Sequence, residues 1–266
     1  MDFRNKNRVV IKIGTSTLTH ATGRLNLRRM EAIVKTLADL HNAGRNIILV
    51  SSGSIGLGAA KLGLGGRPKD TPGKQACAAV GQCELMYMYD QMFSKYSITV
   101  AQVLLTKYVL LEDRRLHVQN AMRRLLDHGA LPIVNENDTV AIDELELEVG
   151  ENDSLAAIVA EVTGAELLVM MTDIDGLYDR DPHLSKNAKL IPVVEHIDRS
   201  IWESAGGAGT ALGTGGMKTK INAAEIATKA GVDTVIMNGR DPEKLYDLFA
   251  NEPVGTVFLA ERPNSK

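Results

Sequence analysis

The sequence predicts an α/β fold, with helices covering both faces of a mostly parallel sheet. Two observations carry the expectation. Short β-branched runs alternate with longer stretches of helical periodicity, and no internal repeat, proline-rich linker or low-complexity tract interrupts that rhythm.

Residues 8–13 (RVVIKI) form a short apolar run ending at Gly14, and residues 46–50 (NIILV) form another ending in Ser-Ser-Gly. Both read as buried parallel strands. Between them Asn26 can cap a helix on which Leu27, Met30, Val34 and Leu37 recur at helical spacing, with Gly44 placed to end it. Those elements make a βαβ unit. Further strands are expected at 98–105, 131–134, 167–171 and 232–237, and a final one at about 254–259. Helices are expected at about 73–95, 112–128, 153–163 and 216–230, while 174–216 is loop-rich. The whole of 1–266 reads as one continuous domain.

Composition narrows the function classes. Hydrophobic residues make up 44% of the chain and charged residues 24%, which is ordinary for a globular protein. The net charge is only -3 and no basic tract stands out, so nucleic acid and anionic membrane surfaces are not expected partners. No run approaches the ~20 apolar residues of a membrane span and the first ten residues lack a signal-peptide core, so a cytoplasmic protein is expected. Cys77 and Cys83 have no metal-ligand spacing and are assigned no chemistry, and no metal ligand is picked out elsewhere.

In sheets of this kind ligands bind where the carboxyl ends of strands meet the amino ends of helices. The unusual residues collect there. Lys12 interrupts an apolar strand beside Gly14, Thr15 and Ser16. Either its head reaches water at a frayed strand end or it meets an anion, because burying an unpaired ammonium costs several kcal/mol. The turn SSGSIG (51–56) opens a helix whose amides could hold an anion, although a tight glycine turn explains it equally. LGTGGMKTK (212–220) sets Gly215 and Gly216 ahead of a helix, with Lys218 and Lys220 one turn in, and phosphate binding explains that pattern better than a surface loop. Neither GxxxxGK[ST] nor GxGxxG occurs, so the phosphates are held by another device. IVNENDTV (133–140) follows a strand, and GENDSLAAIVA (150–160) opens a helix that Asn152 or Asp153 could cap. MTDIDGLYDRDP (171–182) leaves a strand for a segment rich in turn formers.

The segments VVIKIGTSTL, VSSGSIGLG, PIVNENDTVA, VGENDSLAA, TDIDGLYDRDP and LGTGGMKTK, taken in order over nearly the whole chain, resemble the amino acid kinase family. Within it they are most similar to the members that act on glutamate. The resemblance implies a three-layer αβα sandwich around a mostly parallel sheet, with the glutamate-binding part mainly in 1–165 and the nucleotide-binding part mainly in 166–266. It implies transfer of the ATP γ-phosphoryl group to the side-chain carboxylate of L-glutamate, with Mg2+ carried mainly by the ATP phosphates. Lys12 and Lys220 match the lysines that touch the phosphates and the transferring group, and Asp153 matches the carboxylate that orients them. Ser52, Asp138 and Asn152 match glutamate-binding positions. Thr172 and Asp173 match nucleotide-site residues, and Thr214, Gly215, Gly216, Met217, Lys218, Thr219 and Lys220 match the loop over the phosphates.

Also implied are a homo-oligomer and feedback inhibition by L-proline, with the acidic stretch DELELEVG (143–150) able to close differently over the two ligands. Two departures stand out. Many bacterial members carry an additional C-terminal domain, whereas this sequence ends at Lys266, and Glu151 stands where an aspartate is common. The chemistry is coherent on its own: a glutamate side chain has a pKa near ~4.3, so the nucleophile is already ionised at neutral pH and no general base is needed. The alternatives are a family kinase acting on aspartate, acetylglutamate, carbamate or a nucleoside monophosphate, and a non-catalytic amino-acid sensor. Retention of Lys12, Asp153 and Lys220 argues against the sensor.

Overall fold

The structure is a computed structural model, which describes residues 2–20, 22–106, 112–140, 151–182, 184–185, 187–205 and 216–261, without the side chains of residues 112, 113 and 151. The chain divides into two compact units, Gly14–Glu148 and Met1–Ile13 with Val149–Lys266.

In the unit Gly14–Glu148, three parallel strands lie in the order β3 (Val100–Leu105), β4 (Leu131–Glu136), β2 (Asn46–Ser51). The helices of this unit are α1 (Thr15–Leu18), α2 (Leu27–Asn42), α3 (Ser54–Lys61), α4 (Thr71–Ser94) and α5 (Glu112–Asp127). Asn26 caps α2 as expected, its side chain accepting the Arg29 amide. Asp70 caps α4 in the same way through the Gly73 amide, with Pro72 in the first turn, where its missing N–H has no cost. The strand expected from residue 98 begins instead at Val100. Ser97 takes a positive φ of 58°, and the Ile98 amide turns back to the Phe93 carbonyl, so those residues close α4 before the strand can start.

In the other unit the strands run β1 (Arg8–Ile13), β5 (Leu167–Thr172), β7 (Asp233–Asn238), β8 (Thr256–Phe258), β6 (Val193–Val194). β1, β5 and β7 are parallel, and β8 pairs antiparallel with β7. The helices of this unit are α6 (Glu151–Thr163), α7 (Arg199–Ser204), α8 (Met217–Lys229) and α9 (Lys244–Phe249). β1 and β5 are buried along almost their whole length, as strands covered on both faces must be. The α/β class and the mostly parallel strands are those the sequence predicts.

Four short elements were not expected: α1, α7, α9 and β6. Each has six residues or fewer, too few to display a period. β6 and α7 lie inside the stretch read as loop. A further correction concerns α6. It begins at Glu151, so Asn152 and Asp153 sit inside its first turn and neither is the cap residue.

Candidate active site

Lys12 lies near the end of β1, level with Met170 of β5, and is 3% exposed. Of the two readings open from sequence, the buried and paired one holds. Its ammonium is 2.5 Å from Oδ1 of Asp153, in the first turn of α6. Lys220, one turn into α8, reaches Oδ2 of the same carboxylate at 3.2 Å. The structure therefore brings Lys12, Asp153 and Lys220 into one buried cluster, with α6 packed against both β1 and α8. Burial pushes the Asp153 pKa upward, but the two ammonium groups and the hydrogen bonds from Lys12 and Thr219 outweigh it, leaving the carboxyl below its ordinary value. The positive end of α6 favours the same ionised form. A long flexible lysine stem would otherwise sample many positions; here one fixed carboxylate orients two of them.

The start of α8 lacks the groups that ordinarily offset the positive end of a helix. Gly216 is its N-cap and supplies no side-chain cap, and no acidic residue occupies the first turn. Lys218 and Lys220 stand where helices ordinarily favour acidic residues, so an anion at this end would relieve the local field. Thr219 ties this turn to the lysine cluster, its Oγ1 lying 2.9 Å from both Asp153 Oδ2 and the Gly216 carbonyl. Lys218 is exposed and Met217 half-buried. Thr214 and Gly215 lie outside the described residues, as does the acidic stretch 143–150.

Thr172 closes β5 and is buried, and its hydroxyl donates to the exposed Asp173 at 3.1 Å. The Gly239 amide donates to the Thr172 carbonyl at 2.7 Å. Beside them Asn238, paired with Thr172 across β5 and β7, donates to Asp175 at 2.8 Å. Asp175 and Asn238 were not singled out from the sequence. The second aspartate of TDIDG was a visible signal for one; a lone asparagine ending a strand gave none for the other.

In the unit Gly14–Glu148, β2 ends in Ser51 and is followed by the half-buried Ser52. Gly53 then takes a left-handed conformation at φ 103°, which only glycine adopts without strain, and turns the chain into α3. The first residue of α3, Ser54, donates from Oγ to Oδ2 of Asp138 at 3.1 Å. Asp138 follows β4 and is half-buried. Burial raises its pKa, partly offset by the Ser54 hydroxyl and by the charge of Arg67. Ser54 is a further residue missed from the sequence, although it stands inside the SSGSIG turn. Asn152 is buried in α6, in the other unit.

A family model described as the amino acid kinase family matches residues 7–238. The chain belongs to the amino acid kinase family. Among curated relatives, this amino acid kinase is 51% identical to the glutamate 5-kinase of Clostridium acetobutylicum over 96% of its own length and 95% of the relative's. It is 46% identical to that of Clostridium perfringens over 98% of each chain. The glutamate 5-kinase of Caldanaerobacter subterraneus is longer, and this chain spans 68% of it at 48% identity. Among solved structures, carbamate kinase from Giardia lamblia bound to AMP-PNP superposes with a TM-score of 0.69 at 15% identity, covering 97% of this chain and 100% of that one. UMP kinase from Bacillus anthracis gives 0.66 at 17% identity, covering 97% of each chain. At that level of identity these likenesses show the fold of the family.

Proposed function

We infer that this amino acid kinase transfers the γ-phosphoryl group of ATP to the side-chain carboxylate of L-glutamate, giving L-glutamyl 5-phosphate, the first step towards proline. The observation that carries the reading is near-full-length identity, at about half of all positions, to proteins named glutamate 5-kinase. Magnesium enters with the nucleotide as MgATP, and no protein ligand is assigned to it.

The step is a direct displacement. A carboxylate oxygen of glutamate forms a bond to the γ-phosphorus while the bond from that phosphorus to the ADP oxygen breaks, and no proton moves. The obstacle is bringing one anion to another, so catalysis consists of positioning and charge neutralisation. Lys12 and Lys220, oriented by Asp153, are the groups for that charge. Gly216, Met217, Lys218 and Thr219 belong to the phosphate-binding turn, with Thr214 and Gly215 preceding it, and Thr172 and Asp173 serve the nucleotide. Ser52, Asp138 and Asn152 recognise the amino acid, Asp138 by meeting its α-ammonium. The glutamate-binding part falls mainly in 1–165 and the nucleotide-binding part mainly in 166–266 of one amino acid kinase domain. A cytoplasmic homo-oligomer inhibited by L-proline completes the reading.

The test is glutamate-dependent release of ADP from MgATP, measured with and without L-proline. ADP release requiring glutamate, with proline inhibition reversed by raising glutamate, is the expected result. Release indifferent to glutamate would overturn the substrate, and inhibition indifferent to glutamate concentration would overturn an overlapping proline site.

A further inference from the structure

We propose that Ser54 is a positioning residue for the amino-acid substrate, its hydroxyl fixing the carboxylate of Asp138. The proposal rests on the reading that Asp138 meets the substrate's α-ammonium.

Three features of the unit Gly14–Glu148 support it. Ser54 is 3% exposed, and its Oγ reaches Asp138 Oδ2 at 3.1 Å across 84 residues of sequence. A buried hydroxyl with a carboxylate partner makes one of the stronger kinds of neutral-to-charged hydrogen bond. Next, the position of Ser54 is imposed from behind by α4. A Cβ placed on Gly81 would come within 1.7 Å of the Ser54 carbonyl oxygen, and one on Gly58 within 1.8 Å of the Cys77 carbonyl oxygen. The helices α3 and α4 are thus in backbone contact at two glycines, and the first residue of α3 has no room to recede. Finally, the segments flanking Ser54 and Asp138 are anchored to the same helix. Ser51 shares a 2.9 Å hydrogen bond with Tyr89, and Asn135 donates from Nδ2 to Gln82 Oε1 at 2.8 Å, all four side chains being buried. Helix α4 therefore backs both strand ends that carry the amino-acid residues.

The charged group acting on Asp138 among the described residues is Arg67, from the segment joining α3 to α4. It and the Ser54 hydroxyl both favour the ionised form against burial. Removing the hydroxyl should therefore displace the carboxylate and raise its pKa together.

The experiment compares wild-type, Ser54→Ala, Asp138→Asn and the double variant by steady-state kinetics with glutamate and MgATP. Alanine removes one oxygen and is a good helix former, so Ser54→Ala tests the bond with little risk to folding. The expected result is a fall in kcat/KM for glutamate of roughly 10-fold or more, carried by KM, with kcat and the KM for MgATP within about twofold. The acid limb of kcat/KM should move to higher pH, because that limb reports the free enzyme. In the Asp138→Asn background the same change should have almost no further effect. Unchanged kcat/KM and acid limb in Ser54→Ala, or an equal loss in both backgrounds, would overturn the Ser54 assignment while leaving the function standing. A wild-type protein that does not turn over glutamate would overturn the functional reading and this assignment with it.

Discussion

Lys12 and Lys220 put two long, flexible cations at fixed positions because one buried carboxylate holds both. If that geometry serves the charge that develops on the transferring phosphoryl group, either lysine replaced by alanine should lower kcat on the order of 100- to 1000-fold, about 2.7 to 4 kcal/mol. Circular dichroism should still show a folded protein. Lys218 is exposed and outside the cluster, so Lys218→Ala should lose far less. Equal losses from Lys218→Ala and Lys220→Ala would show that burial and the shared carboxylate do not select the working lysine. Single residues of this kind were legible in the sequence when they broke a local rule. A lysine inside an apolar strand and lysines at the wrong end of a helix are physical anomalies that ask for an anion. Ser54 breaks no rule, since serine at a helix start is ordinary; only the fold brings it to Asp138, 84 residues away.

At the scale of elements, the device that positions the proposed amino-acid residues is the close seat of α3 on α4. Gly81→Ala would force a methyl group into the Ser54 carbonyl, a backbone atom that cannot turn aside. It should cost at least the roughly 1–3 kcal/mol of an overpacked core and reduce glutamate turnover. Gly56 is the control: it also lies in α3, but a Cβ there meets nothing within 4 Å. Gly56→Ala should leave thermal stability unchanged or raise it by up to about 1 kcal/mol, as alanine does in a helix. Comparing the two melting temperatures checks the claim, and equal shifts would contradict it. The long helices and six-residue strands were legible because each repeats its pattern at least twice. α7, α9 and β6 were not, and the helix pairing through Gly58 and Gly81 lay beyond periodicity altogether: a glycine inside a helix lowers helix propensity, whereas in the fold these two let the helices touch.

At the scale of the whole molecule, we propose that one amino acid kinase chain recognises glutamate through one set of residues and neutralises phosphoryl charge through another. No helix among the described residues is long and apolar enough to cross a membrane. Membership of the family and the named relatives make the chain a kinase, and the lysine cluster is the proposed source of its charge neutralisation. The solved structures that share the fold include kinases of carbamate and of UMP, so fold alone leaves the substrate open. Substrate choice is therefore the most direct test. Enzyme, MgATP and hydroxylamine are incubated with glutamate, aspartate, acetylglutamate or glutamine, and the acyl phosphate is trapped as a coloured hydroxamate. Acetylglutamate lacks the α-ammonium proposed to meet Asp138 and would leave that half-buried carboxylate without the substrate's counter-charge. Aspartate keeps both α groups but misplaces the reacting carboxylate by about 1 Å, a displacement that can cost on the order of 100-fold. Glutamine has no anionic nucleophile. The account predicts strong hydroxamate formation with glutamate and little with the other three; equal or faster turnover of aspartate or acetylglutamate would contradict it.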